Sequence, residues 1–459
     1  MNRINLILNA DSYKASHYLQ YPENTTAVSS YIESRGGLFE ATVFFGLQMF
    51  IKQYLQKPFN RLDIEEAAEI SDLHGVPFNR EGWEYILKTY KGFLPLEIQA
   101  VPEGTVVPTG NVLVQVINTD PACAWLTSYI ETALLRAVWY PTTVATVSWS
   151  CKQIIRRYLA ETADSQEALP FKLHDFGARG ASSEEASAIG GLAHLVNFMG
   201  TDNLSAIVAG RRYYGETMAG FSIPAAEHST ITSWGRDGEK DAYANMLKQF
   251  AKPGTLVAVV SDSYDLWNAI DNLWGDALKE AVESSGGTLV IRPDSGEPVE
   301  IVSGTIERLM AKFGFSLNAK GFKVLPDCVR VIQGDGISVA SIEAILAEMK
   351  RRGLSAENVA FGMGGELLQK VNRDTQRFAM KASSVCVNGE WRDVFKDPVT
   401  DPGKRSKRGR LALVRNAEGE FQTLREAELM GMDNVLRVVY RNGALLVNDT
   451  LAVIRERAE

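Results

Sequence analysis

Cysteine is scarce: 459 residues hold four, Cys123, Cys151, Cys328 and Cys386, far apart and with no C-x-x-C pair. That spacing supplies neither a zinc knot nor a disulfide framework, and reduced thiols in a cytosol account for it. Positive charge is in deficit as well. Lys and Arg total 48 against 56 Asp and Glu, a formal net charge of -8, the wrong sign for a general nucleic-acid binder. Long apolar runs are missing: the most apolar region, residues 125–149, is interrupted by Glu131, Arg136 and Pro141, so no membrane span is expected. The apolar run at the amino terminus is cut off by Asn9 and Asp11 and lacks the cleavage pattern of a signal peptide. A soluble, cytoplasmic protein is the expectation.

What is present is a core and a rhythm. Hydrophobic residues make up 45% and charged residues 23%, which suits two packed domains or a barrel with an extension. From about residue 170, short β-prone runs end in small or polar residues: 171–180, 193–203, 220–230, 255–265, 288–298, 328–338 and 358–368. Amphipathic stretches such as 265–283 and 339–352 lie between them, with apolar residues three and four apart. Strand, polar loop and helix in repetition read as parallel β/α architecture, with ligands at the carboxyl ends of the strands. No G-x-G-x-x-G follows the first strand, which favours an α/β barrel over a dinucleotide-binding open sheet. Residues 101–118 alternate with Pro and Gly turns and read as antiparallel β, followed by a helical stretch near 121–138. The last 70 residues alternate again around EG and NG turns. The expected class is α/β: a central irregular α/β barrel over 151–379, flanked by a β-rich α+β domain built from both chain ends, 1–150 plus 380–459.

The loops after the strands carry the chemistry. Asp262, Asp294 and Asp335 each follow a strand, and a barrel would bring them to one rim, where three carboxylates suit Mg2+ or ribose hydroxyls. Asp262 and Asp335 equally fit helix N-caps. Arg179 and Arg292 hold equivalent positions and suit a phosphate or a carbonyl. Gly334-Asp335-Gly336 and Gly362-Met363-Gly364-Gly365 let backbone N–H groups approach a phosphate closely. A phosphorylated sugar with a metal is the implied ligand class. His228 follows a strand beside Glu227, a carboxylate able to orient an imidazole; a structural hydrogen bond is the competing reading. Residues 396–410 place six basic residues among fifteen, either a solvated patch or a flap over a polyphosphate.

Ten segments, in order, carry a resemblance: NADSYKASHYLQYP, SYIESRGG, HDFGARGASS, NFMGTDN, PAAEHSTITSWG, VSDSYD, IRPDSGEP, VIQGDG, FGMGGELLQK and VFKDPVTDPGKRSKRGR. Together they resemble the nicotinamide phosphoribosyltransferase family from about residue 5 to 450, a bacterial-type member because the stretch after Arg35 lacks the vertebrate insertion. The paired acidic residues of type I phosphoribosyltransferases are missing, in keeping with type II. The resemblance implies that nicotinamide and 5-phosphoribosyl pyrophosphate give nicotinamide mononucleotide and pyrophosphate, in NAD salvage. It also implies a homodimer whose active sites are completed by the partner subunit.

Residue roles follow from the same resemblance. Phe176 and the other protomer's Tyr13 would sandwich the pyridine ring, with Arg179 on the carboxamide oxygen and Asp202 on its NH2 group. A carboxylate at Asp202 would repel nicotinate, so the amide is the expected substrate. Arg292 and Asp294 would hold the ribose, with Asp262 and Asp335 close by on hydroxyls or a magnesium-linked water shell. Gly334, Gly364 and Gly365 would cradle the 5-phosphate near Arg373, and Arg35, Lys396 and Lys404, from the partner chain, would neutralise pyrophosphate. ATP would phosphorylate His228, with Glu227 and Asp262 influencing the imidazole. Met363 and Glu366 depart from the smaller residues of the family's glycine loop. A nicotinate-using relative, a non-catalytic binding protein and a phosphosugar isomerase are the rival readings.

Overall fold

A computed structural model describes residues 5–400 and 405–459. The chain divides into two compact units, Met1–Thr146 with Arg212–Glu216 and Asn372–Glu459, and Val147–Arg211 with Thr217–Val371.

The unit made from both chain ends is built on a seven-stranded sheet. Its order is Glu390–Asp393, Phe378–Val387, Thr25–Ser34, Val112–Asn118, Leu96–Ala100, Arg437–Arg441 and Ala444–Leu445. Every pairing is antiparallel. The alternation expected over 101–118 is not kept in burial: Val112 to Val116 are all buried, the mark of a strand covered on both faces, and half-burial alternates instead in Leu96–Ala100. The hairpin after Arg437 turns at Asn442-Gly443, with φ of +50° and +92°, the left-handed pair that an NG turn supplies without strain. Leu411–Arg415 and Phe421–Arg425 form the second hairpin anticipated near the carboxyl terminus.

The helical stretch near 121–138 proves longer than expected. A turn at Pro121–Cys123 and a short helix Leu126–Tyr129 lead into Glu131–Thr162, which continues through Pro141. Proline costs the helix a hydrogen bond, but its ring is accommodated by Gly46, where an added Cβ would come within 2.4 Å of it. The Thr142 hydroxyl takes the Phe45 N–H at 3.2 Å and that of Thr146 takes the Val43 N–H at 3.0 Å, tying the helix to the chain beside it.

The other unit is the barrel. Six parallel strands run in the order Gly200–Thr201, Leu173–Asp175, Val359–Met363, Val329–Gln333, Thr288–Arg292 and Leu256–Val260. Two of the expected strands are reduced. The 193–203 run keeps only Gly200–Thr201, because the helix Glu184–His194 takes its start. The 220–230 run makes just two parallel bridges, Gly200↔Phe221 and Ala225↔Ala258. Pro224 has no N–H for a ladder, yet those two bridges reach both edge strands and close the ring. Between strands lie helices Pro298–Phe313 and Val339–Arg351, while 265–283 starts as Leu266–Asn268 and widens into a π-helix over Ala269–Ala277.

Side chains alternate in and out along each strand. Ala258, Val290 and Ile332, with Ala360, Ile223 and Phe176 packed on them, form the plug inside the ring. Two residues further along three of those strands come Arg292, Gly334 and Gly362, so the same alternation that fills the barrel aims these residues at its carboxyl-terminal rim.

The chain-end unit also stores a titratable group. Glu103 is buried, accepting the Gln48 N–H at 2.7 Å and the Tyr214 hydroxyl at 2.9 Å, and burial pushes its pKa up to about 7. The folded state therefore holds a proton that the unfolded chain releases above its ordinary carboxylate pKa. Stability from this group is full below about pH 4.5 and is lost as pH rises to about 7, by an amount on the order of 2–3 kcal/mol. Glu103→Gln keeps the acceptor for Gln48, so melts between pH 4.5 and 8 should show a flatter stability profile for the variant; identical profiles would refute the assignment.

Candidate active site

All six strand ends deliver rim residues. Leu173–Asp175 leads into Phe176, whose N–H donates to the Met363 carbonyl at 3.0 Å. Its ring lies against Gly362 and Gly334: an added Cβ would fall 2.0 Å from the ring at Gly362 and 3.5 Å at Gly334. Glycine is required at 362 because the ring occupies the space of a side chain. The Asp294 carboxylate reaches the same place, 3.3 Å from a Cβ built on Gly334. Arg292 stands 3.6 Å from Asp294 through Nε, and that nitrogen is buried without a hydrogen-bond partner. A donor so placed is available to a ligand oxygen.

The three carboxylates do converge. Burial raises the pKa of Asp294, opposed by Arg292 and His228 and reinforced by the charges of Asp262 and Asp335. Neither Asp262 nor Asp335 is a helix cap, since Asp265 and Ser338 fill those positions. Asp262 accepts from His228 Nε2 at 3.0 Å. Its backbone approach is set by Trp274, fully buried, which donates to the Ser261 hydroxyl at 3.1 Å and stacks on Tyr243 at 4.4 Å. The π-helical turn that places Trp274 left no signal in the amphipathic pattern. Glu227 takes a different part from the one expected. Its carboxylate meets the Ser229 hydroxyl, and the residue stands at the start of the helix His228–Thr232 with its N–H donating to the Thr230 hydroxyl at 3.3 Å; the carboxylate on the imidazole is Asp262's. Among the described residues no three His, Cys, Asp or Glu lie close enough to share one metal directly. Converging but separated carboxylates fit a hydrated magnesium ion that is also held by substrate phosphates.

Asp202 sits one residue past Gly200–Thr201 and receives the Ser222 hydroxyl at 2.5 Å. Ser222 is a residue that sequence reasoning missed; its segment bridges both barrel edges and so brings it to Asp202. Arg179 is exposed on the turn Ala178–Gly180. From Ser222 the barrel interior opens into a cavity of about 460 Å³, lined among others by His174, Ile223, Val290, Lys172 and Arg330. Burial pushes the Lys172 ammonium down to about 8, with Arg330 adding to the effect, and lowers His174. In the glycine loop, added Cβ atoms at Gly364 and Gly365 would meet nothing closer than 3.7 Å, an open surface. Of the two departures, Met363 is buried and Glu366 pairs with Lys370 at 2.5 Å.

The remaining candidates belong to the chain-end unit. Tyr13 is 59% exposed. Arg35 bonds Glu33 at 3.0 Å and keeps a second buried nitrogen without a partner. Lys396 closes the base of its loop, donating its N–H to the Ser406 hydroxyl at 2.8 Å and accepting the Ser406 N–H at 2.9 Å. Lys404 lies outside the described residues. Arg373 pairs with Asp374 at 3.1 Å. Lys381, unmarked in the sequence because it sits within a β strand, has its pKa lowered by burial and by the cations Arg35, Lys396 and Lys14, against the pull of Glu131. Such a gathering of cations favours an anion.

The fold is shared with solved structures of low identity. Nicotinate-nucleotide pyrophosphorylase from Pyrococcus furiosus matches with a TM-score of 0.64 at 15% identity, covering 100% of this chain and 96% of that one. Human nicotinic acid phosphoribosyltransferase matches with a TM-score of 0.59 at 17%, covering 98% and 92%. At that identity the likeness shows a shared fold. At the level of sequence, residues 171–444 match the nicotinate phosphoribosyltransferase (NAPRTase) family and residues 5–98 the N-terminal domain of nicotinamide phosphoribosyltransferase. Curated relatives bearing the latter name include those of Xanthomonas campestris, 55% identical over 99% of this chain and 98% of the relative, and Acinetobacter baylyi, 34% identical over 99% and 97%. The chain belongs to the nicotinamide phosphoribosyltransferase family.

The packing of Phe176 on Gly362 is testable. Gly362→Ala should push the ring out of place and weaken binding of a stacked aromatic substrate about tenfold, read as its KM, with the melting temperature little changed. An unaltered KM would show that the ring does not carry the base.

Proposed function

We propose that this chain transfers the 5-phosphoribosyl group of phosphoribosyl pyrophosphate to the ring nitrogen of nicotinamide, releasing nicotinamide mononucleotide and pyrophosphate. The observation that carries the reading is the pairing of an aromatic ring seated on glycines with a carboxylate, Asp202, held by Ser222. A flat ring stacks on Phe176, and Tyr13 of a second protomer in a homodimer covers its other face. The carboxamide donates N–H to Asp202 and accepts from Arg179. Nicotinate would bring a second carboxylate to Asp202, a repulsion worth several kcal/mol in a partly dry pocket.

The lone pair of the pyridine nitrogen attacks the anomeric carbon as the bond to pyrophosphate oxygen breaks, through an oxocarbenium-like state. Asp294 and Arg292 orient the ribose, with Asp262 and Asp335 near its hydroxyls. The N–H groups of the 334–336 and 364–365 turns receive the 5-phosphate. Arg35, Lys396 and Lys404 of the partner subunit, with its Lys381, neutralise the departing pyrophosphate. Magnesium, when bound with the substrate, supplies further neutralisation of the leaving group. His228 is the group that ATP phosphorylates. Because Nε2 is engaged by Asp262, the lone pair lies at Nδ1, which attacks the γ-phosphorus as the bond to ADP breaks.

Purified protein with phosphoribosyl pyrophosphate and magnesium should use nicotinamide at least about a hundredfold better than nicotinate in kcat/KM, and Asp202→Ser should narrow that ratio to within about tenfold. A parent that turned over the acid as well as the amide would overturn the specificity. His228→Ala should retain transfer but lose stimulation by ATP; a variant responding like the parent would remove the phosphohistidine role.

A further inference from the structure

We infer that Asp175 is a positioning residue for base recognition, one buried carboxylate that links the turn bearing Phe176 to the loop bearing Asp202. The inference rests on the reading of those two residues as the base site. Asp175 ends the strand Leu173–Asp175 and is 0% exposed. Its Oδ1 accepts the Gly177 N–H at 2.7 Å, and its Oδ2 accepts from Asn203 Nδ2 at 3.0 Å. Gly177 directly follows Phe176 and opens the turn that carries Arg179. Asn203 directly follows Asp202, whose own N–H donates to the Asp175 carbonyl at 3.1 Å. One side chain therefore grips the residue after the stacking ring with one oxygen and the residue after the recognition carboxylate with the other.

The far end of this linkage is anchored. Asn203 Nδ2 also donates to the Ser187 carbonyl at 2.9 Å, and its Oδ1 accepts the Ala206 N–H at 3.2 Å. Gly191 seals the junction: a Cβ there would come 2.4 Å from Asn203 Nδ2 and 2.8 Å from Asp175 Oδ2. The partners of Asp175 are amides rather than a cation, and burial, with the charge of Asp202 adding to it, raises its pKa to about 6. Burying a carboxylate on amide donors alone is costly where packing is the only need. A carboxylate does what asparagine cannot, since it accepts from two opposed donors at once; asparagine would turn its own NH2 onto one of them.

The test is steady-state kinetics of the full chain with nicotinamide, phosphoribosyl pyrophosphate and magnesium. Asp175→Asn is expected to raise the KM for nicotinamide about tenfold or more, leaving the KM for phosphoribosyl pyrophosphate within about twofold and kcat within about threefold. Asn203→Ala, which breaks the second arm without altering charge, should give the same split. The double variant should be no worse than Asp175→Asn alone, because both arms belong to one linkage. Equal rises in both KM values, or multiplying effects in the double variant, would mean that Asp175 merely supports the fold. An unchanged nicotinamide KM in Asn203→Ala overturns the inference even where Asp175→Asn does not fold. Asp202→Ser separates the two levels: if it leaves the nicotinamide KM untouched the base site itself is misplaced, whereas a rise there alone sinks only the linkage.

Discussion

The barrel depends on the two-residue period of its parallel strands. Ala258, Val290, Ile332 and Ala360 face inward and pack on one another inside the ring, so a change at any of these positions disturbs its neighbours across the strands. Once they are set, the positions two residues on must face the rim. That is why Arg292, Gly334 and Gly362 share one end, and why glycine at 362 leaves room for Phe176. The placement of these rim residues is thus a by-product of core packing, extended past the last buried layer.

At that rim the structure accepts electrostatic cost. Asp294 is raised by burial and by two neighbouring carboxylates, and Arg292 keeps a buried nitrogen without a hydrogen bond. Groups held like this oppose folding and are relieved when a ligand brings complementary charge, the usual trade between stability and activity. Rigid support offsets part of the cost. Trp274, stacked on Tyr243 and bonded to Ser261, fixes the chain just before Asp262, so that the carboxylate meets His228 without a mobile loop between them.

Elsewhere the local pattern misleads for identifiable reasons. Pro141 breaks an apolar run on paper but not the helix Glu131–Thr162, because Gly46 makes room for its ring. The 220–230 run looks like a strand by composition, and Pro224 reduces it to two bridges. Glu227 adjoins His228 in sequence, yet successive residues at a helix start point apart. The partner of the imidazole is Asp262, 34 residues away.

Repeated β-prone runs ending in Gly, Asp and Arg were enough to establish a parallel β/α barrel, and the NG and EG turns marked the hairpins near the carboxyl terminus. Those features are local: a strand's period, a turn's φ and a helix's face are written within a dozen residues. The ordered motifs identified the family on the same terms. Closure of the ring was decided only in three dimensions. It set Ser222 against Asp202, Asp175 between the loops that carry Phe176 and Asp202, and Lys381 among other cations. Each of these depends on side chains far apart in the chain, and hydrogen bonds and charges act over ångströms of space, which no spacing along the sequence measures.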